Sequence, residues 1–147
     1  APILLVYALR EALRLLCEES LEARWQRHKR NSLALISGVE ALGLSMHPKE
    51  HRCPSLNAVS VPEGIQDINV RKTLLKEFGI TVSGGLGALK GAVWRIGLMG
   101  MNSTERNVIL VLEALERALK MDGYPVKLGA GVSAAMEKLA HGSQRNA

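Results

Sequence analysis

The chain has 147 residues, 47% of them hydrophobic and 22% charged, which suits a soluble globular domain with one core. A net charge of +5, from 19 basic and 14 acidic residues, permits an acidic partner and equally fits an enzyme that binds carboxylates or phosphates, so charge does not choose between them. The two cysteines, Cys17 and Cys53, show no C-x-x-C spacing, which argues against a disulfide scaffold and for a reduced intracellular protein.

The apolar opening, Pro2 to Leu9, stops at Arg10-Glu11 without a basic lead-in. It is too short to cross a bilayer and is not shaped like a signal peptide. Residues 3 to about 17 are rich in Leu, Ala, Arg and Glu and read as a helix that needs burial on several sides. A second helix is expected from about Glu19 to Leu42, with Leu21, Trp25, Leu33, Ile36, Val39 and Leu42 on a buried face and Gly43 as its stop. Leu44 to Met46 suggests a short strand, followed by a polar loop through Pro54. Leu56 to Val61 reads as a strand, because its end is β-branched and Pro62-Glu63-Gly64 supplies a turn.

Asp67 opens a third helix in which Val70, Leu74, Leu75 and Phe78 are spaced for burial, and Gly79 closes it. Ile80 to Val82 and Val93 to Leu98 read as strands joined by a glycine-rich loop. Asn102 and Glu105 have capping-box spacing, and the helix they begin would bury Val108, Val111, Leu112, Leu115 and Leu119. A loop over Tyr124 to Gly129 and a short helix over Val132 to Leu139 complete the chain. The fold class expected is α/β of the α+β small-domain kind: a long helical lead, then a small, mostly antiparallel sheet covered on one face by helices. The lead would be residues 1–43 and the domain residues 44–147.

The loop GGLGALKG raises a phosphate-binding reading, since glycine frees backbone N–H groups to converge on an anion. The spacing does not support it. The third glycine of a G-x-G-x-x-G fingerprint arrives one residue late at Gly91, no Gly-Lys-Ser/Thr ending follows, and a strand comes next instead of a helix. That strand carries Arg95 among core residues Val93, Ile96 and Leu98. A half-buried arginine needs a partner, either an internal carboxylate or one that arrives with a ligand, and its planar fork suits a bidentate grip.

Three further groups read as ordinary structure. Arg24 to Arg30 surrounds Trp25 with basic residues, the composition of a nucleic-acid contact, but an amphipathic helix with a buried tryptophan and a solvated basic face explains the same residues. His47, His51 and Cys53 lack a second pair at zinc-like spacing. The serines show no nucleophile signature.

The run Ser83 to Gly100, GGLGALKGAVWRIGLMG from Gly84, resembles the C-terminal domain of the class V (fold type I) pyridoxal-phosphate aminotransferases, in detail the alanine-glyoxylate and serine-pyruvate aminotransferases. Ala1-Pro2 with Leu5 to Leu13, Trp25-Gln26-Arg27-His28, Val59 to Pro62, Asn102 to Leu119 and Gly123 to Val126 are also similar to that family. The likeness covers nearly the whole chain but only about the last third of a family member. It implies that Arg95 grips the α-carboxylate of a small amino-acid or 2-oxo-acid substrate, with Gly84, Gly85 and Gly87 shaping the loop beside it. It further implies a homodimer, without nucleic-acid or membrane partners. The Schiff-base lysine and most contacts to pyridoxal 5'-phosphate would lie upstream of Ala1, so the isolated chain is expected to be inactive and to hold no catalytic, cofactor or metal residue. Lys90 matches a variable loop position. The alternative reading is a stand-alone module that binds an acidic ligand or partner without catalysis, which requires the first helix to be covered by its own chain. Arg145-Asn146-Ala147 is not a peroxisomal ending, and the compartment stays open among peroxisome, mitochondrion and bacterial cytoplasm.

Overall fold

The computed structural model describes residues 2–143; Ala1 of the Ala1-Pro2 motif and the ending Arg145-Asn146-Ala147 lie outside the described residues. The elements are α1 (Ile3–Glu19), α2 (Leu21–Ala41), β1 (Leu56–Ser60), α3 (Asp67–Phe78), β2 (Ser83–Gly84), β3 (Val93–Gly97), α4 (Glu105–Met121) and α5 (Ala130–Ser143), with short 3-10 turns at Gly87–Leu89 and Gly100–Asn102. The three strands form one antiparallel sheet in the order β1-β3-β2. This is the α+β arrangement expected from the sequence.

Side chains alternate across a strand, so the register divides the sheet into two faces. Val59 pairs with Trp94 and Asn57 with Ile96, and all four are buried toward the helices. Trp94 joins a core built with Leu35 and Val39 of α2, Leu74 of α3, Leu112, Leu115 and Leu119 of α4, and Ala135 of α5. The other face carries Ala58, Ser60, Ser83, Val93, Arg95 and Gly97.

Ser20 separates α1 from α2: it sits at φ +69° and its hydroxyl accepts the N–H of Ala23 at 3.2 Å, the geometry of an N-cap. The second half of α2, from Asn31 through Leu42, enters the core. Its first turns do not, and Trp25, expected to be buried, is 62% exposed. Leu21 and Leu33 are exposed as well. α1 buries none of its residues, and Leu4 is 84% exposed. None of the described helices is long and apolar enough to cross a membrane.

Four local expectations are corrected. Leu44 to Met46 forms no strand; Met46 makes a single bridge to Val59. The edge strand is Ser83–Gly84 and not Ile80 to Val82, because α3 ends in a glycine closure at Gly79 (φ +65°) that commits the Ile80 N–H to the Leu74 carbonyl at 3.0 Å. Leu75 of α3 faces solvent, while Val70 and Leu74 are buried. The cap of α4 is Thr104, whose hydroxyl accepts from Asn107 N at 3.1 Å; Asn102 lies in the preceding turn and offers its carbonyl to Asn107 Nδ2 at 3.0 Å.

α5 begins at Ala130, two residues before the expected start, because Glu116 of α4 caps it. The buried Glu116 carboxylate accepts from Gly129 N at 2.6 Å, Gly131 N at 2.9 Å and Val132 N at 3.3 Å. A helix start leaves such N–H groups without backbone partners and favours negative charge. Glu116→Ala strands these donors and is expected to cost about 1–3 kcal/mol. Urea unfolding measures it, and a loss below about 0.5 kcal/mol would contradict this role.

Candidate functional site

Arg95 lies near the middle of β3 on the face turned away from the helices. Its neighbours across the sheet, Ala58 on β1 and Ser83 on β2, are small, and Arg95 itself is half-buried. Arg95 Nε donates to the Gly84 carbonyl at 2.8 Å. Among the described residues no carboxylate lies within ion-pair distance of Arg95, which is half-buried, and the bond from Nε leaves its two outer nitrogens unassigned. The internal ion pair considered from sequence is therefore absent among the described residues. A guanidinium fixed at Nε with its fork free is arranged to take a planar carboxylate through two parallel hydrogen bonds.

The glycine-rich loop is folded against this strand. Its N–H groups serve the loop itself: Leu89 N donates to Leu86 O, Lys90 N to Gly87 O and Ala92 N to Leu89 O, at 3.0, 3.2 and 3.0 Å. Gly85 allows the close approach. A methyl group there would stand 1.9 Å from the Leu89 carbonyl oxygen and 3.0 Å from Val93 Cγ2. Gly87 turns the chain at φ +56°, with no neighbour near the place a side chain would take. Gly84 has Asp67 and Arg71 of α3 behind it.

The far end of β3 is held by a cluster that sequence reasoning missed. Arg27 Nη1 donates to the carbonyls of Gly100 at 3.0 Å and Ser103 at 2.6 Å, while its other nitrogens and Arg24 bind Glu19. His28 accepts the Gly100 N–H at Nε2 (3.2 Å), and its Nδ1 lies 2.8 Å from the Arg24 carbonyl. The tautomer protonated at Nδ1 satisfies both contacts. Arg30 pairs with Glu105 at 2.6 Å. Arg27 and His28 thus tie α2 to the turn after β3, while Arg24 and Arg30 are paired with Glu19 and Glu105. Glu19 ends α1 and reaches Arg24 and Arg27 of α2 across the Ser20 break, so no helical spacing in the sequence signals the contact. Among the described residues no group of three or more His, Cys, Asp or Glu side chains could hold a metal.

No protein-family model matches the chain. Solved structures and curated proteins do resemble it. The ureidoglycine-glyoxylate aminotransferase of Bacillus subtilis superposes with a TM-score of 0.88 at 38% identity, covering 91% of this chain and 35% of that one. The alanine-glyoxylate aminotransferase of Nostoc sp. gives a TM-score of 0.78 at 50% identity over 81% of this chain and 32% of its own. The alanine-glyoxylate aminotransferase of Callithrix jacchus is 43% identical over 81% of this chain and 29% of its own length. The chain is thus a homologue of the C-terminal portion of class V aminotransferases. Within that class its relatives are the alanine-glyoxylate and ureidoglycine-glyoxylate enzymes, and it spans about a third of their length.

Two outcomes follow from the geometry. Gly85→Ala forces the loop off the Leu89 carbonyl and is expected to cost about 1–3 kcal/mol, more than Gly87→Ala, where only the positive φ is penalised. Equal and small losses for both in thermal unfolding would contradict the close packing. The second concerns Glu19, whose carboxyl is held at about 2 by the hydrogen bond from Arg27, then by the Arg27 charge and by Arg24. A depressed carboxyl stabilises the fold above its unfolded value of 4.5, and that contribution disappears as pH falls from there toward 2. Glu19→Gln should therefore flatten the stability profile in that window, and added salt should weaken the effect. An unchanged acid profile would contradict the clamp.

Proposed function

We propose that this chain is the C-terminal part of a transaminase that moves an amino group between a small amino acid, alanine or serine, and a 2-oxo acid, glyoxylate or pyruvate. In this reading Arg95 receives the α-carboxylate, and the loop through Gly84, Gly85 and Gly87 keeps it in place. The observation that carries the reading is that Arg95, half-buried in β3, bonds through Nε to the Gly84 carbonyl and has no carboxylate partner among the described residues. The kinship with aminotransferases supports it.

The chemistry divides between this chain and the remainder of a longer polypeptide. Aminotransferases work with pyridoxal 5'-phosphate, which supplies the electron sink for proton transfer at Cα. That cofactor needs a lysine in a sheltered site, and every lysine of this chain is exposed. The residues present do not fit the cofactor, so its site is assigned to the remainder and no step is derived through it. Arg95 contributes binding: it neutralises the carboxylate and restricts the substrate's orientation, which lowers the entropic cost of reaction elsewhere.

Residues 1–43 serve in this reading as the lead to that remainder and residues 44–147 as the small domain, with the second half of α2 sunk in its core. The uncovered apolar side chains of α1 count against a stand-alone binding module, which would have to cover that helix itself. They give a larger homodimeric assembly surface to bury. In the complete enzyme Arg95→Ala should lower kcat/KM for the amino acid by roughly 100-fold, about 2–3 kcal/mol for a charge-assisted contact. Arg95→Lys should recover part of the loss. Steady-state kinetics with both substrates decide it, and unchanged values in Arg95→Ala would remove this role.

A further inference from the structure

Behind the sheet, on the helix side of Gly84, Asp67 and Arg71 are joined fork to fork across one turn of α3. Arg71 Nε donates to Asp67 Oδ1 at 2.7 Å and Nη2 donates to Oδ2 at 2.9 Å. Asp67 is the first residue of α3, where a carboxylate is favoured by the helix dipole, and it stands four residues before its base. This pair is far better shielded than an ordinary surface pair. Its side chains are 12% and 28% exposed, against 51% and 58% for Glu113 and Arg117 of α4.

The pair also lies against the strand that holds Arg95. A methyl group on Gly84 would come 3.3 Å from each of Arg71 Nε, Arg71 Nη2 and Asp67 Oδ2, so the ion pair packs on the bare Cα. β2 is two residues long, sits at the edge of the sheet and pairs only with β3. Besides that pairing with Trp94, the Gly84 carbonyl is braced by what packs on its Cα. That carbonyl is the acceptor for Arg95 Nε, which sets where the fork points.

We propose that the Asp67–Arg71 pair positions Arg95: it props β2 from behind, fixes the Gly84 carbonyl, and through it aims the free guanidinium fork at the incoming carboxylate. The inference rests on the reading of Arg95 given above. Asp67 and Arg71 touch no substrate and act only through Gly84. The competing explanation is a helix-stabilising i, i+4 pair that happens to lie near β2, and it makes different demands on the two readouts below.

The first readout is the Arg95 Nε–H in proton-nitrogen NMR of the 147-residue chain. It should exchange slowly with solvent in the parent, and at least about tenfold faster in Asp67→Asn as the local opening becomes easier. Arg71→Lys, which keeps the charge but not the fork, should fall between them. The second readout is kinetic, in the complete enzyme. Asp67→Asn should raise KM for both carboxylate substrates several-fold, about 3–10, with kcat within about twofold, since a misaimed fork weakens binding uniformly.

Slow exchange in Asp67→Asn, fast exchange already in the parent, or an unchanged KM each overturns the proposal. A fall in thermal stability alone would assign the pair to α3. If Asp67→Asn fails to fold, Arg71→Lys carries both readouts. An unchanged KM in Arg95→Ala would instead overturn the reading of Arg95 itself, while the exchange measurement still tests the coupling through Gly84.

Discussion

The hydrogen bond from Arg95 Nε to the Gly84 carbonyl is the contact on which the site depends, because it decides which part of a guanidinium is tied down and which part is left for something else. A half-buried cation without any partner would be costly, and a fully paired one would have no capacity left. One bond at Nε gives an intermediate state: the stem is fixed by the sheet and the planar fork stays open. The neighbouring sequence is consistent with that requirement. The residues paired with Arg95, Ala58 and Ser83, are small, Gly84 admits α3 behind the strand, and Gly85 lets the loop close against Leu89.

The helices are arranged around the other face. α2, α4 and α5 bury Trp94 and Ile96, which fixes β3, while the Arg27 and His28 contacts hold the turn that follows it. Glu116 locks α5 onto α4 by capping its first turn. Burial thus supplies the rigidity, and the opposite face carries Arg95, to which the proposed carboxylate contact is assigned. α1 stands outside this scheme: it is helical by composition, apolar, and touches mainly α2. A helix of that kind is at home against further protein, which agrees with a chain that spans about a third of its relatives.

Much of this was legible in the sequence. The helices over residues 67–78 and 105–121 announced themselves by periodicity and by Gly79 and Gly123, and Arg95 stood out as the one charge in a strand otherwise made for a core. The resemblance carried by the run through Gly100 gave the family. What failed were features fixed by partners distant in sequence. Trp25 has the spacing of a core residue, yet the first turns of α2 project past the body that would bury it. Ile80 to Val82 has strand composition, but the Gly79 closure takes its first N–H. Thr104 outcompetes Asn102 as the cap because the preceding residues are already wound into a turn. The basic run from Arg24 to Arg30 is solvated only in part; its arginines are drawn inward by Glu19, Glu105 and two carbonyls, which local composition does not reveal.

The most direct measurement is a crystal structure of the complete polypeptide with a small 2-oxo acid such as pyruvate bound. The carboxylate is expected to lie in plane with the Arg95 guanidinium, each oxygen within about 3 Å of a fork nitrogen, with Nε still on the Gly84 carbonyl. A carboxylate bound elsewhere, with the Arg95 fork engaged by an aspartate or glutamate of the remaining polypeptide, would contradict it and make Arg95 half of a structural ion pair.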